Sequence, residues 1–335
     1  MLLNWALSSS MKHFLISILV LMFCLSCHQE QKNTKLRGVV FGTSYSIIYD
    51  SEVNYQTSCD SLFAVINTSM STYQVDSDIS KLNRNESFTV DNHFVKVYDT
   101  SKDIFEQTQG AFDPSIGNVV NAWKFGAERI IEVVDSLKID SLMQYVGFNK
   151  TERHNHTIEK TNPNVYLEFN AIAKGYAVDV IGAFLEIKKI DNYLVEIGGE
   201  IRVKGVNSEK QKNWEVGLER PNFDGEQSLL KAIKLQDQSM ATSGTYRKFK
   251  VDENGKRYAH IIDTETGYPS KTNLLSITVI AEDCIIADAY ATGFKSMGIE
   301  KVKAFLKHHP ELKVFLIFEN EKQEFETLSL NGFPE

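Results

Sequence analysis

The sequence predicts an α+β protein in which mixed, mostly antiparallel sheets pack with helices in one large compact unit. Segments with strand periodicity and segments with helix periodicity are mixed along the 335 residues, without the steady strand–helix–strand order of a parallel sheet. No G-x-G-x-x-G motif follows a predicted strand, so a Rossmann nucleotide site has no support. With 42% hydrophobic residues the chain has ample material for a core, and its length allows one large domain or two fused halves.

In the first half of the chain, a strand is followed mainly by helices. Tyr45, Ile47 and Tyr49 occupy alternate positions, which predicts a strand over residues 38–50. Apolar residues at helical spacing then predict three helices, and a short strand is expected just before the third. The helices are expected over residues 58–70, 94–109 and 174–188, and the short strand over 165–169.

The second half of the chain is richer in predicted strands. A tight Gly198-Gly199 turn is expected to join two strands within residues 192–206. Apolar runs predict the further strands, and helical spacing predicts two more helices. These strands are expected over residues 214–218, 232–235, 275–281 and 314–319, and the helices over 286–297 and 301–308.

The charge of the chain limits its partners. The net charge is −8, and no block of Lys and Arg residues stands out. This argues against nucleic acid as a partner, because neutralising phosphates needs a basic surface. An anionic ligand would have to be held by local devices: a metal ion, a helix N-terminus, or one or two cations.

The N-terminus has the pattern of a targeting segment. About a dozen almost wholly apolar residues, 14–25, follow Met11-Lys12-His13; spanning a bilayer needs ~20, so the run fits a signal peptide. It ends in Leu25-Ser26-Cys27, which resembles a bacterial lipoprotein cleavage site with Cys27 as the lipidated residue, although Cys24 stands where an aliphatic residue is usual. Simple secretion or an uncleaved anchor are the alternatives. The predicted organisation is a signal peptide over 1–27, a short tether over 28–36 and one domain over 37–335.

Two cysteines remain beyond the targeting segment. Cys59 and Cys284 could form one bridge in an exported protein, but two are too few for a disulfide framework. Neither lies in a C-x-x-C motif or near a histidine cluster, so a zinc site is not expected.

Four segments combine residue types that chemistry requires. In residues 109–114 a glycine precedes an Asp-Pro turn, which brings the backbone close to a partner. In residues 170–179 small residues and a lysine stand at a helix start, where free N–H groups attract anions. Residues 240–246 gather hydroxyls around a glycine, as phosphate or ribose contacts require. Asp288 and Thr292 share one helix face and offer two oxygen ligands to a hard cation such as Mg²⁺. Each segment taken alone also fits an ordinary turn or a solvated helix start.

One histidine, like these segments, has both a structural and a functional interpretation. His260 directly precedes Ile261 and Ile262, so it is either a packed core residue or a general base held by apolar neighbours. An imidazole suits proton abstraction near neutral pH because its unperturbed pKa is ~6.5. Asp263 follows three residues later, and could either orient the ring or shape the turn.

In this order the segments resemble the ApbE family of FAD:protein FMN transferases, which are magnesium-dependent lipoproteins of the bacterial cell envelope. The resemblance extends from Gly42 to about Gly298. Three positions depart from the family pattern: Asn170, Thr245 and Tyr290. The matching stretches are residues 42–45, 70–73, 110–114, 171–175, 196–200, 219–221, 241–244, 260–263, 266–269, 287–289 and 291–292, together with Ser77, Asn83 and Trp123.

The resemblance implies an ApbE-like fold and a specific reaction. FAD is a substrate, a Thr or Ser hydroxyl of an acceptor protein attacks the phosphorus nearest riboflavin, and AMP leaves. The base is His260 and the cofactor is Mg²⁺. The implied metal ligands are the main-chain carbonyl of Ala171 with Asp288, Ala291 and Thr292, and the implied nucleotide-binding positions are Phe41, Tyr73, Ala111, Phe112, Asp113, Lys174, Ser243 and Ile261.

The implied partners are acceptor flavoprotein subunits of envelope electron-transport complexes, and the implied location is a lipid-anchored protein facing the periplasm. Three alternatives use the same residues. The first is hydrolysis of FAD to FMN and AMP, and the second is a non-catalytic flavin-binding lipoprotein. The third is a covalent flavoprotein that carries FMN on its own Thr-Ser-Gly-Thr segment, residues 242–245.

Overall fold

The computed structural model describes residues 33–128, 135–224, 226–245, 249–251, 257–270, 273–322 and 324–335. The expected signal peptide, Cys27 and residues 28–32 of the expected tether lie outside these ranges. Residues 34–36, which were assigned to the tether, are the first residues of a strand. Within the described ranges, no helix is both long enough and apolar enough to cross a membrane.

The strands of the described chain follow one another in this order: β1 (Thr34–Val40), β2 (Thr43–Tyr49), β3 (Thr151–His154), β4 (Thr157–Lys160), β5 (Tyr193–Ile197), β6 (Glu200–Lys204), β7 (Val206–Asn207), β8 (Lys212–Glu219), β9 (Leu229–Leu235), β10 (Ser239–Gly244), β11 (Phe249–Val251), β12 (Arg257–Ala259), β13 (Leu274–Ala281), β14 (Lys313–Glu319) and β15 (Phe325–Leu330). Eight of them form the main sheet, in the spatial order β1-β2-β5-β6-β10-β13-β14-β15. Every neighbouring pair in it is antiparallel.

The helices of the described chain are α1 (Gln56–Met70), α2 (Asp78–Asn83), α3 (Asn92–Gln107), α4 (Gly117–Ala122), α5 (Ser136–Met143), α6 (Ala173–Ile187), α7 (Cys284–Met297) and α8 (Ile299–Leu306). Helix α6 lies against β5 and β6, and α7 lies against β10 and β13. Helices α1 and α3 pack on these two helices and share their core.

The main sheet is covered on both faces, which makes three layers. The helices bury one face, and the small sheet β7-β8-β9 packs on the other through Trp214, Val216 and Ile233. Alternate residues of β14 divide accordingly: Leu316 belongs to the helix-side core and Phe315 to the sheet-side core. All eight residues of β13 are buried, because this strand has a layer on each side.

The α+β class with antiparallel sheets is confirmed, and most predicted elements are present with shifted ends. Residues 38–50 are a hairpin rather than one strand, because Phe41 and Gly42 both take positive φ values, 51° and 73°, and turn the chain. The prediction of a strand over residues 165–169 was wrong. That segment is extended, but apart from an isolated bridge between Tyr166 and Ile116 it has no ladder to join.

The two remaining cysteines are buried and free. Cys59 lies in α1 and Cys284 is the first residue of α7. Each therefore contributes to the core as a thiol, and the bridge that the sequence allowed is absent.

Candidate functional site

A cleft of about 850 Å³ opens beside the helix-side face of the main sheet. This volume suits a ligand the size of a large cofactor. Its walls come from the β1–β2 turn, the end of α1, residues 111–116, residues 168–174, strand β10, residues 260–264 and helix α7. Twelve residues assigned from the sequence line it: Phe41, Tyr73, Ala111, Phe112, Asp113, Ala171, Lys174, Ser243, His260, Ile261, Asp288 and Thr292.

One assigned residue does not line the cleft. The side chain of Ala291 is fully buried in α7. It stands about 100° around the helix from Thr292, so it cannot share the face that Thr292 presents. Its expected place among the metal ligands stays a prediction.

The floor of the cleft is the crossing of α6 and α7. The backbone N–H of Gly175 donates to Oδ2 of Asp288 at 2.9 Å. A Cβ atom on Gly175 would lie 2.4 Å from the carbonyl oxygen of Cys284 and 2.7 Å from Cβ of Asp288. A side chain at this position would therefore force the helices apart, which explains the glycine after Lys174.

This hydrogen bond also determines what Ala171 can do. In a continuing helix, the N–H of Gly175 would donate to the carbonyl of Ala171, four residues earlier. Its neighbours follow that pattern: Ala173 donates to Phe169, and Tyr176 to Ile172. Because Gly175 donates to Asp288 instead, the Ala171 carbonyl accepts no backbone hydrogen bond within the described chain. It is left available to a ligand at the cleft wall.

Two hydroxyls lie beside the aspartate. Thr292 is one helical turn after Asp288, and its Oγ1 lies 3.2 Å from Oγ of Ser243. The Thr-Ser-Gly-Thr segment, for which an ordinary turn was the alternative, is mostly strand β10, paired with β13 through Ser243 and Ile277. The sheet therefore fixes the position of Ser243 against α7 and leaves Thr292 at the cleft surface.

A buried ion pair stands close to this group. Nζ of Lys174 lies 2.5 Å from Oε1 of Glu200, whose side chain is 4% exposed. Within the described residues, the other oxygen of Glu200, Oε2, is buried without a hydrogen-bond partner. Glu200 enters the cleft because the Gly198-Gly199 turn begins β6 at this residue. The sequence showed the turn, but gave no signal that its glutamate faces a ligand site.

Burial controls the protonation of these groups. Burial raises the pKa of Glu200 to about 7, with Lys174 acting in the opposite direction and Asp288 adding to the rise. Burial likewise raises the pKa of Asp288, opposed by Lys174 and by the N–H of Gly175. For Lys174 burial acts to lower the pKa, but the two carboxylates prevail and the pKa is raised. At neutral pH Lys174 is therefore protonated, and burial disfavours the ionised forms of Glu200 and Asp288.

The 109–114 segment is a shaped turn at the cleft wall. Gln109 and Gly110 take positive φ values of 54° and 85°. Oδ1 of Asp113 accepts from both the N–H and the hydroxyl of Ser115, at 2.8 and 2.6 Å, and the Ser115 hydroxyl accepts from Gly147. Burial raises the pKa of Asp113, although these hydrogen bonds act to lower it. Much of the bonding capacity of Asp113 is therefore used to fix the loop.

His260 lines the cleft at the position that follows β12. Ile261 and Ile262, which follow it, are 7% and 5% exposed, so they anchor the segment on both sides of the backbone. The His260 ring lies edge-on to Phe125, with centroids 6.3 Å apart. This arrangement fixes the backbone of His260 while its ring remains at the cleft wall.

Asp263 shapes the turn that follows. Its Oδ1 accepts from the N–H groups of Glu265 and Thr266, at 2.9 and 3.2 Å. Trp123 closes the far side of the same turn by donating its Nε1–H to the carbonyl of Gly267 at 2.8 Å. Asp263 could either orient the His260 ring or shape the turn, and these hydrogen bonds support the second role.

Sequence reasoning also missed Glu168, a carboxylate three residues before Ala171. Its backbone N–H donates to the carbonyl of Pro114, and its side chain lines the cleft. In an extended segment alternate side chains face opposite sides, so Glu168 faces away from the buried Leu167 and Phe169, and the spacing alone did not mark it as a site residue.

The oxygen atoms at the α6–α7 crossing fit a hard divalent cation. They are Oδ1 of Asp288, Oγ1 of Thr292 and the carbonyl of Ala171, and Mg²⁺ is held by few protein oxygens when a phosphate supplies the others. Across the described residues there is no group of three or more His, Cys, Asp or Glu side chains placed to hold a metal ion by themselves. The donors present therefore suit a cation shared with an anionic ligand.

Comparison with known proteins gives a consistent result. Residues 41–316 match the family model described as the ApbE family. A protein of Vibrio cholerae named FAD:protein FMN transferase is 35% identical over 302 residues, covering 87% of this chain and 89% of that protein. The protein of the same name from Haemophilus influenzae is 35% identical and covers 96% of this chain and 98% of its own. The solved structure of the flavin transferase ApbE from Vibrio cholerae superposes with a TM-score of 0.81 at 33% identity, covering 89% of this chain and 97% of that one.

Proposed function

The chain belongs to the ApbE family of flavin transferases, and from this premise we propose that it transfers FMN from FAD to a Thr or Ser hydroxyl of an acceptor protein, with Mg²⁺ bound and AMP released. The relatives that carry the family's name are transferases, and the chain spans nearly the whole of two of them. The magnesium requirement, the hydroxyl acceptor and the release of AMP are the parts that the proposal adds.

One observation carries this proposal: the diversion of the Gly175 N–H from Ala171 to Asp288. It leaves a main-chain carbonyl, a carboxylate and the Thr292 hydroxyl as oxygen donors on the same side of the cleft. The first turn of α6 lies beside them and carries Lys174, whose ammonium attracts phosphate at the positive end of the helix dipole. A cation site next to an anion site is the arrangement that a diphosphate substrate needs.

When bound, Mg²⁺ would neutralise diphosphate charge and stabilise the leaving phosphate of AMP. The protein groups have separate tasks. Lys174 and the α6 N-terminus hold the phosphates, and Tyr73, whose side chain is 64% exposed at the cleft wall, offers a ring on which a flavin can stack. His260 would accept the proton of the attacking hydroxyl.

The reaction is then a substitution at one phosphorus atom. The acceptor oxygen forms a bond to the phosphorus nearest riboflavin, and the bond from that phosphorus to the bridging oxygen breaks. The hydroxyl proton passes to His260, and the bridging oxygen leaves with AMP. Placing both reactants in line within one cleft supplies much of the acceleration expected of such a site.

Mass spectrometry tests the proposal. A fragment starting at residue 33 is incubated with FAD, MgCl₂ and a Thr-containing flavoprotein subunit as acceptor, and both the acceptor mass and free AMP are followed. We expect one FMN on the acceptor for each AMP released. AMP with FMN left free in solution would support the hydrolase instead, and FAD binding without any AMP would support the flavin-binding lipoprotein.

We also propose that the protein is anchored in the bacterial cell envelope through a lipid on Cys27 and faces the periplasm. The sequence of residues 11–27 supports this, and the expected acceptors are envelope flavoproteins. Metabolic labelling with a fatty acid, comparing the natural chain with Cys27→Ser, tests the anchor: label on both forms would contradict it.

A further inference from the structure

The unpartnered oxygen of Glu200 is a buried polar atom of a cleft residue that the proposed mechanism does not use. Its carboxylate is 4% exposed, Oε1 is engaged by Lys174, and Oε2 is buried with no hydrogen-bond partner in the described chain. A buried polar atom without a partner costs about 1–3 kcal/mol, and more when charged, so folded proteins rarely keep one without a reason.

The space in front of Oε2 is kept clear by the fold. Gly198 lies next to it, and a Cβ atom there would be 3.4 Å from Oε2 and 2.8 Å from Cγ2 of Thr43. Gly198, Thr43 and Glu200 all line the cleft. The oxygen is therefore buried at the cleft wall, among residues that an incoming ligand contacts.

A simple structural role does not account for both oxygens. Holding Lys174 requires one acceptor atom, and Oε1 supplies it at 2.5 Å. Asp288 stands close enough to raise the pKa of Glu200, so the two carboxylates repel each other. Asp288 offers no hydrogen bond to Oε2 of Glu200 in return. The negative charge of Glu200 becomes favourable when a hydrogen-bond donor or a cation enters the cleft.

Resting on the proposed function, we propose that Glu200 is a ligand-binding residue whose Oε2 accepts a hydrogen bond from an O–H donor of the loaded cleft. The donor is a water molecule on the bound cation or a hydroxyl of the nucleotide. Mg²⁺ usually keeps several of its waters, and each needs an acceptor. The nucleotide substrate also carries hydroxyl groups, so the same chemistry has two sources that can be separated by experiment.

Binding measurements on two variants distinguish this role from support of Lys174. In Glu200→Gln the amide oxygen must face the Lys174 ammonium, because that group can only donate. The –NH₂ group then replaces Oε2, and a donor stands where an acceptor is needed. Glu200→Ala removes both atoms. Glu215→Gln is the matched control, because it removes one negative charge from an exposed position of β8 outside the cleft.

Two titrations are made for each variant, below its thermal midpoint. FAD affinity is measured by calorimetry in EDTA, and Mn²⁺ affinity is measured by paramagnetic resonance on the FAD-loaded protein. We expect Glu200→Gln to weaken one of them by about 10- to 100-fold, the range of a hydrogen bond to a charged group. Loss in EDTA identifies a nucleotide hydroxyl, and loss only with Mn²⁺ identifies a cation-bound water.

The opposite result is equally clear. If Glu200→Gln matches the natural chain in both titrations, Glu200 acts at most through Lys174 and the inference is overturned, whatever Glu200→Ala does. If Glu200→Gln does not fold, Glu200→Asp is used, which keeps the charge but shortens the reach; unchanged affinities there also overturn it. Failure of the natural chain to bind FAD at all would instead remove the proposed function.

Discussion

The N–H of Ile285 donates to Oδ2 of Asp179 at 2.8 Å, so the N-terminus of α7 is capped by a side chain of α6. Asp283, the residue at the cap position of α7 itself, makes no side-chain cap. Oδ1 of Asp179 accepts from Cys284 and from Arg202, at 3.0 and 2.7 Å. One partly buried carboxylate thus fixes how the two helices meet, four residues after Gly175.

Asp179→Ala should therefore destabilise the protein and disturb the crossing. It leaves two helix N–H groups without their acceptor and removes one of the acceptors of Arg202, which still has Asp283 and Glu186. We expect the free energy of unfolding to fall by about 1–3 kcal/mol. Asp179→Asn keeps one acceptor and should lose less. Urea unfolding measures both variants; equal stability of Asp179→Ala and the natural chain would show that the cap is dispensable.

Gly175→Ala tests the close approach of the helices. The added methyl group would meet backbone atoms of Cys284, which cannot rotate away, and overpacking of this kind costs about 1–3 kcal/mol. We also expect weaker Mg²⁺ binding, because Asp288 and Ala171 would move apart. Gly182→Ala is the control on the same helix: its methyl group would meet side-chain atoms of Tyr193 and Arg202, so metal affinity should be kept. Equal metal affinity in both variants would contradict the argument.

Asp288→Asn should separate metal binding from folding. Asp288 is the charged member of the proposed ligand set, and even outer-shell partners of metal ligands contribute about 10- to 100-fold to affinity, so Mg²⁺ affinity should fall at least that far. Burial raises the pKa of Asp288, although Lys174 acts to lower it, so the ionised form is disfavoured in the metal-free fold. A neutral amide should therefore leave the metal-free thermal midpoint unchanged or higher. An unchanged magnesium requirement would show that the cation binds elsewhere.

His260→Ala tests the general base. The change removes no proposed metal or phosphate contact, so the thermal midpoint and the FAD affinity should remain close to those of the natural chain. FMN transfer should fall by a factor of ~10² or more. In the natural chain the transfer rate should rise with pH as the imidazole loses its proton, and the variant should lack that step. Joint loss of stability and affinity, without a selective loss of rate, would return His260 to a packing role.

The two buried thiols should be unreactive in the folded protein. Burial raises the pKa of Cys59 to about 12, and Asp60 adds to the rise; burial also raises the pKa of Cys284 well above its ordinary value. Both groups therefore stay protonated at neutral pH, and the thiolate is the reactive form. Iodoacetamide should label neither cysteine of a fragment starting at residue 33 until denaturant is added, when it should label both. A disulfide, or rapid native labelling, would contradict the structure.

The sequence was most informative where a pattern has one physical cause. The helical spacing of residues 174–188 and 286–297 predicted α6 and α7 closely, because each places apolar residues against the main sheet. The pairing of Asp288 with Thr292 on one helix face followed from the same geometry. His260 could be proposed as a site residue because residues 260–263 match the family pattern.

Other features depend on contacts that a linear pattern does not contain. Strand β10 looked like a turn, because Thr242-Ser243-Gly244 has turn composition, and pairing with β13 overrides that preference. The role of Glu200 depends on Lys174, which is 26 positions away in the sequence and 2.5 Å away in the fold. Ala291 was assigned from the resemblance; its side chain lies in the core, and its place among the metal ligands stays a prediction.

The distribution of the cleft along the chain has a kinetic consequence. Its walls extend from Phe41 in the first hairpin to Thr292 in α7, about 250 positions later, so closing it requires contacts of very high sequence separation, which form slowly. β2 must join β5, and β10 must join β13, before both walls exist. A nucleotide that needs both walls would bind the finished sheet and none of its precursors, and its binding energy would add to the stability of that state alone. FAD should therefore lower the rate constant of unfolding far more than it raises the rate constant of folding.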